Sequence, residues 1–158
     1  MKFIDQLKEK AKQNKKTIVL PETSDMRTIE AAGKVLAEGI ANIILVGDKE
    51  DIMSRAGDID LSGASFVDPK NYEKFDEYVD AFVEMRRKKG MTEARAKELL
   101  LTNPLYFGCM MVKQDDADGM VAGAINASAD VLRAALQTLK TAPGTRVVSA
   151  FFLVVVPD

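Results

Sequence analysis

The sequence predicts an α/β protein: three αβα layers around a mostly parallel, doubly wound sheet. Two observations carry this. Short β-branched or apolar runs at 17–20, 41–46, 64–67 and 118–122 alternate along the chain with segments of helical periodicity, joined by short turns. The run at 41–46 is apolar enough to be covered on both faces, as a parallel strand is.

The elements follow in order. Phe3, Ile4, Leu7 and Ala11 fall on one stripe, which predicts an amphipathic helix over 2–13. A strand at 17–20 is bounded by Pro21. Thr23, Ser24 and Asp25 offer caps for a helix through Glu38, with Ile29, Ala32, Val35 and Leu36 inward and Gly39 closing it. After the strand at 41–46, Gly47-Asp48 turns into a short helix at 49–55, and a third strand at 64–67 ends at Asp68-Pro69. A long helix is expected over 71–88 (Phe75, Tyr78, Val79, Phe82, Val83 and Met85 inward), stopped by Gly90. Two more follow, from Thr92 to Leu101 and from Asn103-Pro104 through Lys113. A strand at 118–122, a helix at 127–139 and an apolar, β-prone run at 147–156 complete the pattern.

The totals exclude several function classes. A net charge of −2, no Trp, 3 Tyr and 7 Phe provide neither a basic surface nor a stacking platform, so neither nucleic acid nor a membrane is an expected partner. No His means no Ser-His-Asp triad and no His-based metal site within this chain. A single cysteine, Cys109, excludes an internal disulfide and a Cys-clustered metal site; it sits among apolar neighbours and reads as a buried, inert thiol. No metal is expected. That cysteine usage suits a reducing compartment, and the charged N-terminus has no signal-peptide core, so a cytoplasmic location is expected.

Three segments are candidates for chemistry. The first, Gly119 to Arg133, reads as strand, tight Gly123-Ala124 corner and helix. Such a corner presents free N–H groups where open α/β sheets bind anions. Asn126 or Ser128 can cap the helix, and Asn126, Asp130 and Arg133 are spaced to share a face. A plain cap and a surface Asp130–Arg133 pair explain the same residues. The second segment, Pro21 to Arg27, lies at the end of the first strand, where Arg27 in a first helical turn is electrostatically unfavourable unless an anion, Asp25 or Glu30 relieves it. The third, Glu84 to Gly90, carries Arg86 and Arg87 in a last turn, where cations are favoured in any case.

Taken together, these segments resemble the phosphotransacetylase (phosphate acetyltransferase) and phosphate butyryltransferase family, from near the first residue to the last. The carriers are Leu20-Pro21-Glu22-Thr23 with Asp25 and Arg27, Ile44-Leu45-Val46-Gly47-Asp48, Met85-Arg86-Arg87-Lys88-Lys89-Gly90, Ala117 to Ala124, Asp130-x-Leu132-Arg133-x-Ala135-Leu136-Gln137 and Val148-Ser149-Ala150-Phe151-Phe152.

The resemblance implies reversible acetyl transfer between acetyl phosphate and coenzyme A, with coenzyme A a substrate and no permanently bound cofactor. It implies two α/β domains, a cleft between them and a homodimer. Residues 1–142 would form the N-terminal domain, and 143–158 a linker and the first strand of a second domain whose remainder is absent. Arg133 matches the family's phosphate-contacting arginine, Arg86 its other phosphate-side arginine with Arg87 as the alternative, and Asn126 and Ser128 lie beside them; Arg27 is a further candidate. Asn126 and Ala127 stand where the family has His-Ser, which keeps one polar group and removes one hydroxyl. The family's general-base aspartate lies C-terminal of Asp158, so no catalytic residue is expected in this chain and the fragment alone is expected to be inactive. The alternatives are a phosphate butyryltransferase and a non-catalytic module that binds a phosphorylated ligand.

Overall fold

The computed structural model describes residues 3–156. They form seven α-helices around a four-stranded, all-parallel sheet in the order β3-β2-β1-β4. β1 is Lys16–Leu20, β2 Ala41–Val46, β3 Ser65–Val67 and β4 Gly119–Met120. The register pairs Lys16 with Ala41 and Leu20 with Leu45, Ile44 with Ser65, and Ile18 with Gly119. The chain moves outward from β1 to β3, then returns to the opposite edge of β1 for β4. The switch point of the doubly wound sheet therefore lies between β1 and β4.

Strand alternation divides the core in two. Val19, Ile44 and Val46 face a layer made by α4 (Phe75–Arg86), α5 (Glu93–Thr102), α6 (Pro104–Lys113) and α7 (Ser128–Thr138). Leu20, Ile43 and Leu45 face α2 (Met26–Glu38) and α3 (Lys49–Ala56) through Ile29, Ala32 and Ile52. Each fully buried large side chain in these layers contributes roughly 1.5–3 kcal/mol. Close packing fixes α6 against β4 at Gly108, where a Cβ would stand 2.8 Å from Met120 Sδ. α1 (Phe3–Gln13) buries none of its residues and reaches α2 through a Lys8–Glu38 ion pair at 2.5 Å.

Helix starts follow the expected chemistry. Asp25, Asp48, Thr92 and Asn103 each accept a backbone N–H from the helix they cap. Two expectations are corrected. The helix expected over 71–88 is α4 alone, flanked by 3-10 turns at Pro69–Asn71 and Arg87–Lys89. Extended backbone at Tyr72 separates the first turn from α4, and the Gly90 N–H bonds back to Arg87 to tighten the last. The strand expected at 118–122 is two residues long, because β1 is its one neighbour and the chain turns away after Val121 donates to Val19. Residues 147–156 carry no strand; no ladder in the described residues supplies their backbone with partners, and Phe151 and Phe152 are almost fully exposed.

Candidate functional site at the sheet switch point

The loop after β4 does present a row of N–H groups, as the sequence predicts, but the anion they hold is part of the chain. Glu22, two residues past the end of β1 and only 2% exposed, turns its carboxylate into the loop. Oε2 accepts from the Gly123 and Ala124 N–H groups, each at 2.7 Å. Oε1 accepts from Ile125 N at 3.2 Å, Asn126 N at 2.9 Å and Asn126 Nδ2 at 2.7 Å. Gly123 opens the row at φ +111°, a conformation L side chains rarely adopt, with open space where a Cβ would stand. Burial pushes the Glu22 carboxyl up; the donors from Asn126, Ala124 and Gly123 outweigh it and bring it down to about 2.

Arg27 closes the same junction from α2. Its guanidinium forks onto Asp25, at 2.7 Å for Nη2–Oδ2, and donates to the Ala124 carbonyl at 2.5 Å. The side-chain pair with Asp25 comes first among the causes that hold the Asp25 carboxyl below its usual range. The unfavourable cation in the first turn of α2 is thus relieved by the helix's own cap. An open cavity of about 220 Å³ lies beside this junction, with Leu20, Ala31, Val121 and Ala122 as apolar walls and Glu22, Arg27 and Thr28 as its polar groups.

Asn126 and Ser128 are placed differently from expectation. Ala127 holds the cap position of α7 without a side-chain bond, because Asn126 is committed to Glu22 and Ser128 is already the first helical residue. Neither caps the helix. Asn126 also precedes α7, so the shared face reduces to Asp130 and Arg133, paired at 2.5 Å on the exposed surface.

The structure distinguishes the two neighbouring arginines. Arg87 is exposed and paired with Glu84 at 2.6 Å. Arg86, one residue earlier, is half-buried, and its Nε is the one buried side-chain polar atom without a hydrogen-bond partner among the described residues. Arg86 and Arg133 both act on Tyr106, a buried residue of α6 whose hydroxyl donates to Gln137 of α7 at 3.1 Å. Burial raises the Tyr106 phenol, and the charges of Arg133 and Arg86 oppose that rise. Arg86 on α4 and Arg133 on α7 therefore both lie within electrostatic reach of one phenol. Neither Tyr106 nor Glu22 is assigned a role from the sequence, although Glu22 is a carboxylate just past a buried strand, at the ligand side of the sheet.

A second polar cluster also went unread. Asp116, between α6 and β4, accepts from the hydroxyls of Tyr78 and Tyr72 and from Lys74. Its position ties the start of α4 to the start of β4. Burial raises the Asp116 carboxyl, but Lys74 and Tyr78 overcome it and hold it low. Cys109 is fully buried and its thiol is pushed up by that burial, as expected of an inert cysteine. Among the described residues, no group of three or more His, Cys, Asp or Glu could hold a metal ion.

A family model described as phosphate acetyl/butaryl transferase matches residues 2–158. The chain is 52% identical over its whole length to a phosphate acetyltransferase of Acetivibrio thermocellus, covering 47% of that protein. It is 51% identical to a phosphate acetyltransferase of Thermoanaerobacterium thermosaccharolyticum, covering 48% of it. It thus spans about half the length of these curated relatives. Among solved structures, the EutD phosphotransacetylase from Staphylococcus aureus superposes with a TM-score of 0.80 at 39% identity, over 90% of this chain and 43% of that one. A phosphotransacetylase from Streptococcus pyogenes gives 0.83 at 36% identity, over 92% of this chain and 45% of that one.

Proposed function

The chain belongs to the phosphate acetyl/butaryl transferase family, and on that premise we propose that it supplies the phosphoryl-binding wall of a phosphate acetyltransferase. The observation that carries the reading is the half-buried Arg86, whose Nε has no hydrogen-bond partner among the described residues, with the exposed Arg133 in electrostatic reach of the same phenol. Planar guanidinium forks match phosphoryl oxygens, and two of them hold a phosphate in a fixed orientation. Arg133 leaves Asp130 to do so, an exposed pair that costs little to break. Ser128, exposed on the first turn of α7, is a further contact.

In the reaction, the sulfur of coenzyme A attacks the acetyl carbonyl carbon of acetyl phosphate. A C–S bond forms, the C–O bond to the phosphoryl group breaks, and phosphate leaves between the arginines. Their positive charge stabilises the phosphate as negative charge grows on it. The thiol proton goes to a carboxylate outside this chain, so no catalytic base is assigned to residues 1–158. Residues 1–142 are read as one α/β domain, and 143–158 as the linker and the segment that forms the opening strand of a second once strands of that domain pair with it. The complete protein is read as a cytoplasmic homodimer with the site in its interdomain cleft. No helix among the described residues is long and apolar enough to cross a membrane.

The test is acetyl-CoA formation from acetyl phosphate and coenzyme A, by these 158 residues alone and within a two-domain protein. Turnover is expected only from the latter. Turnover by the 158 residues alone would require a base within them, and a faster reaction with butyryl phosphate would assign the butyryl branch of the family instead.

A further inference from the structure

We infer that Glu22 is a positioning residue whose carboxylate serves as a built-in anion: it fills the N–H row at Gly123–Asn126, fixes the entry of α7 and thereby sets Arg133, and it denies that row to the substrate. The inference rests on the phosphoryl-binding reading of Arg133 given above.

The geometry is that of an anion-binding nest with its occupant supplied from another strand. Four consecutive backbone N–H groups and one side-chain amide converge on two oxygens, between 2.7 and 3.2 Å. A buried carboxylate so held is saturated, and a phosphoryl group approaching the same donors would meet a fixed negative charge. On the phosphoryl-binding reading, Arg86 and Arg133 are then the groups left to hold the substrate's anion. Arg27 restrains the loop from its other side by binding the Ala124 carbonyl at 2.5 Å. Asn126 is the fifth donor and the residue before the Ala127 cap, so the conformation imposed by Glu22 passes directly into α7 and, six residues beyond the cap, to Arg133.

The experiment is heteronuclear NMR of the isotope-labelled chain, titrated with inorganic phosphate and separately with formate. In the natural sequence, phosphate should move the side-chain N–H signals of Arg133 and Arg86 while the four loop amides stay in place. In Glu22→Ala those amides should move upfield, the Arg133 signal should shift or broaden, and phosphate affinity should fall by about tenfold or more, as for the loss of charge-assisted bonds. Formate, small enough to replace the missing carboxylate, should return the amides and the Arg133 signal together. It should do neither in Glu22→Gln, where a side chain of the same shape occupies the nest but turns a donor NH2 toward two of the N–H groups, so that the loop amides and the Arg133 signal are shifted and formate does not return them.

A phosphate titration that moves the loop amides of the natural chain would overturn the exclusion of substrate from the row, and needs no variant. Arg133 signals unchanged in both Glu22→Ala and Glu22→Gln would overturn the positioning role; the second variant decides if the first does not fold. Arg133 and Arg86 signals indifferent to phosphate in the natural chain would sink the phosphoryl-binding reading instead. The formate response would still decide whether Glu22 sets Arg133.

Discussion

Glu22 and Asn126 meet twice: one carboxylate oxygen accepts both the backbone N–H of Asn126 at 2.9 Å and its side-chain amide at 2.7 Å. This double contact joins the carboxyl ends of β1 and β4 across the switch point, and it fixes what the loop can do.

Glu22 should make stability depend on pH. Its carboxyl lies at about 2 in the folded chain against an ordinary value of 4.5. A lowered carboxyl contributes stability that is fully present above the unfolded value and is lost as pH falls toward the folded one. The shift corresponds to about 3 kcal/mol. Urea unfolding of the natural chain and Glu22→Gln should differ by about that much at pH 7, and the gap should narrow steadily below about pH 5. A gap constant down to pH 3 would contradict the ionised carboxylate.

Arg133→Lys, tested in the two-domain enzyme, should raise the acetyl phosphate requirement about ten- to a hundredfold, because Lys keeps the charge and loses the planar fork. The requirement for coenzyme A should change far less. Arg87→Ala is the control: its exposed pair with Glu84 is worth little, so both requirements should hold. Equal effects of Arg133→Lys on both substrates would count against the assignment.

Asp116→Ala should cost about 2–3 kcal/mol in equilibrium unfolding, since it removes the acceptor shared by Tyr78, Tyr72 and Lys74 and leaves the buried Tyr78 hydroxyl with only the Tyr72 hydroxyl at 3.2 Å. Tyr72→Phe, which removes two long contacts, 3.3 Å to Asp116 and 3.2 Å to Tyr78, and leaves the Asp116–Tyr78 bond in place, should cost about 1 kcal/mol or less. A reversed order would show that the network is not centred on Asp116.

Cys109 should react with a thiol reagent only when the fold opens. It is fully buried and its thiol is raised by that burial. The labelling rate should track urea concentration through the unfolding transition. Fast labelling in native buffer would mean that α6 opens locally.

Much of this architecture was legible because it is local. Ile43 to Val46 announces a two-face strand, and Asp25, Thr92 and Asn103 mark helix starts that the structure reproduces. The limits of α4 were less visible, since its apolar stripe continues smoothly while the backbone at Tyr72 does not. The site was half legible. Gly123-Ala124 reads correctly as a donor row, and Arg27 reads correctly as a cation in need of an anion. That the row is filled by Glu22, 101 to 104 residues earlier in the chain, has no local signature. Periodicity and capping report neighbours in sequence; this pairing is set by sheet order, which places the last strand beside the first. Tyr106 was hidden for the same reason, as its arginines arrive from two different helices.

The Glu22 junction also orders events during folding. Closing it requires ends about a hundred residues apart to meet, and such long-range contacts form slowly because loop-closure entropy is lost before they reward it. β1 can pair with β2 as soon as residue 46 is made. Until β4 docks, however, the buried carboxylate has no donors and the arginine wall has no fixed shape. On a ribosome adding roughly 5–20 residues per second, the first strand waits several seconds for the loop that neutralises it. Binding competence therefore arrives with the last strand of the sheet rather than growing with it.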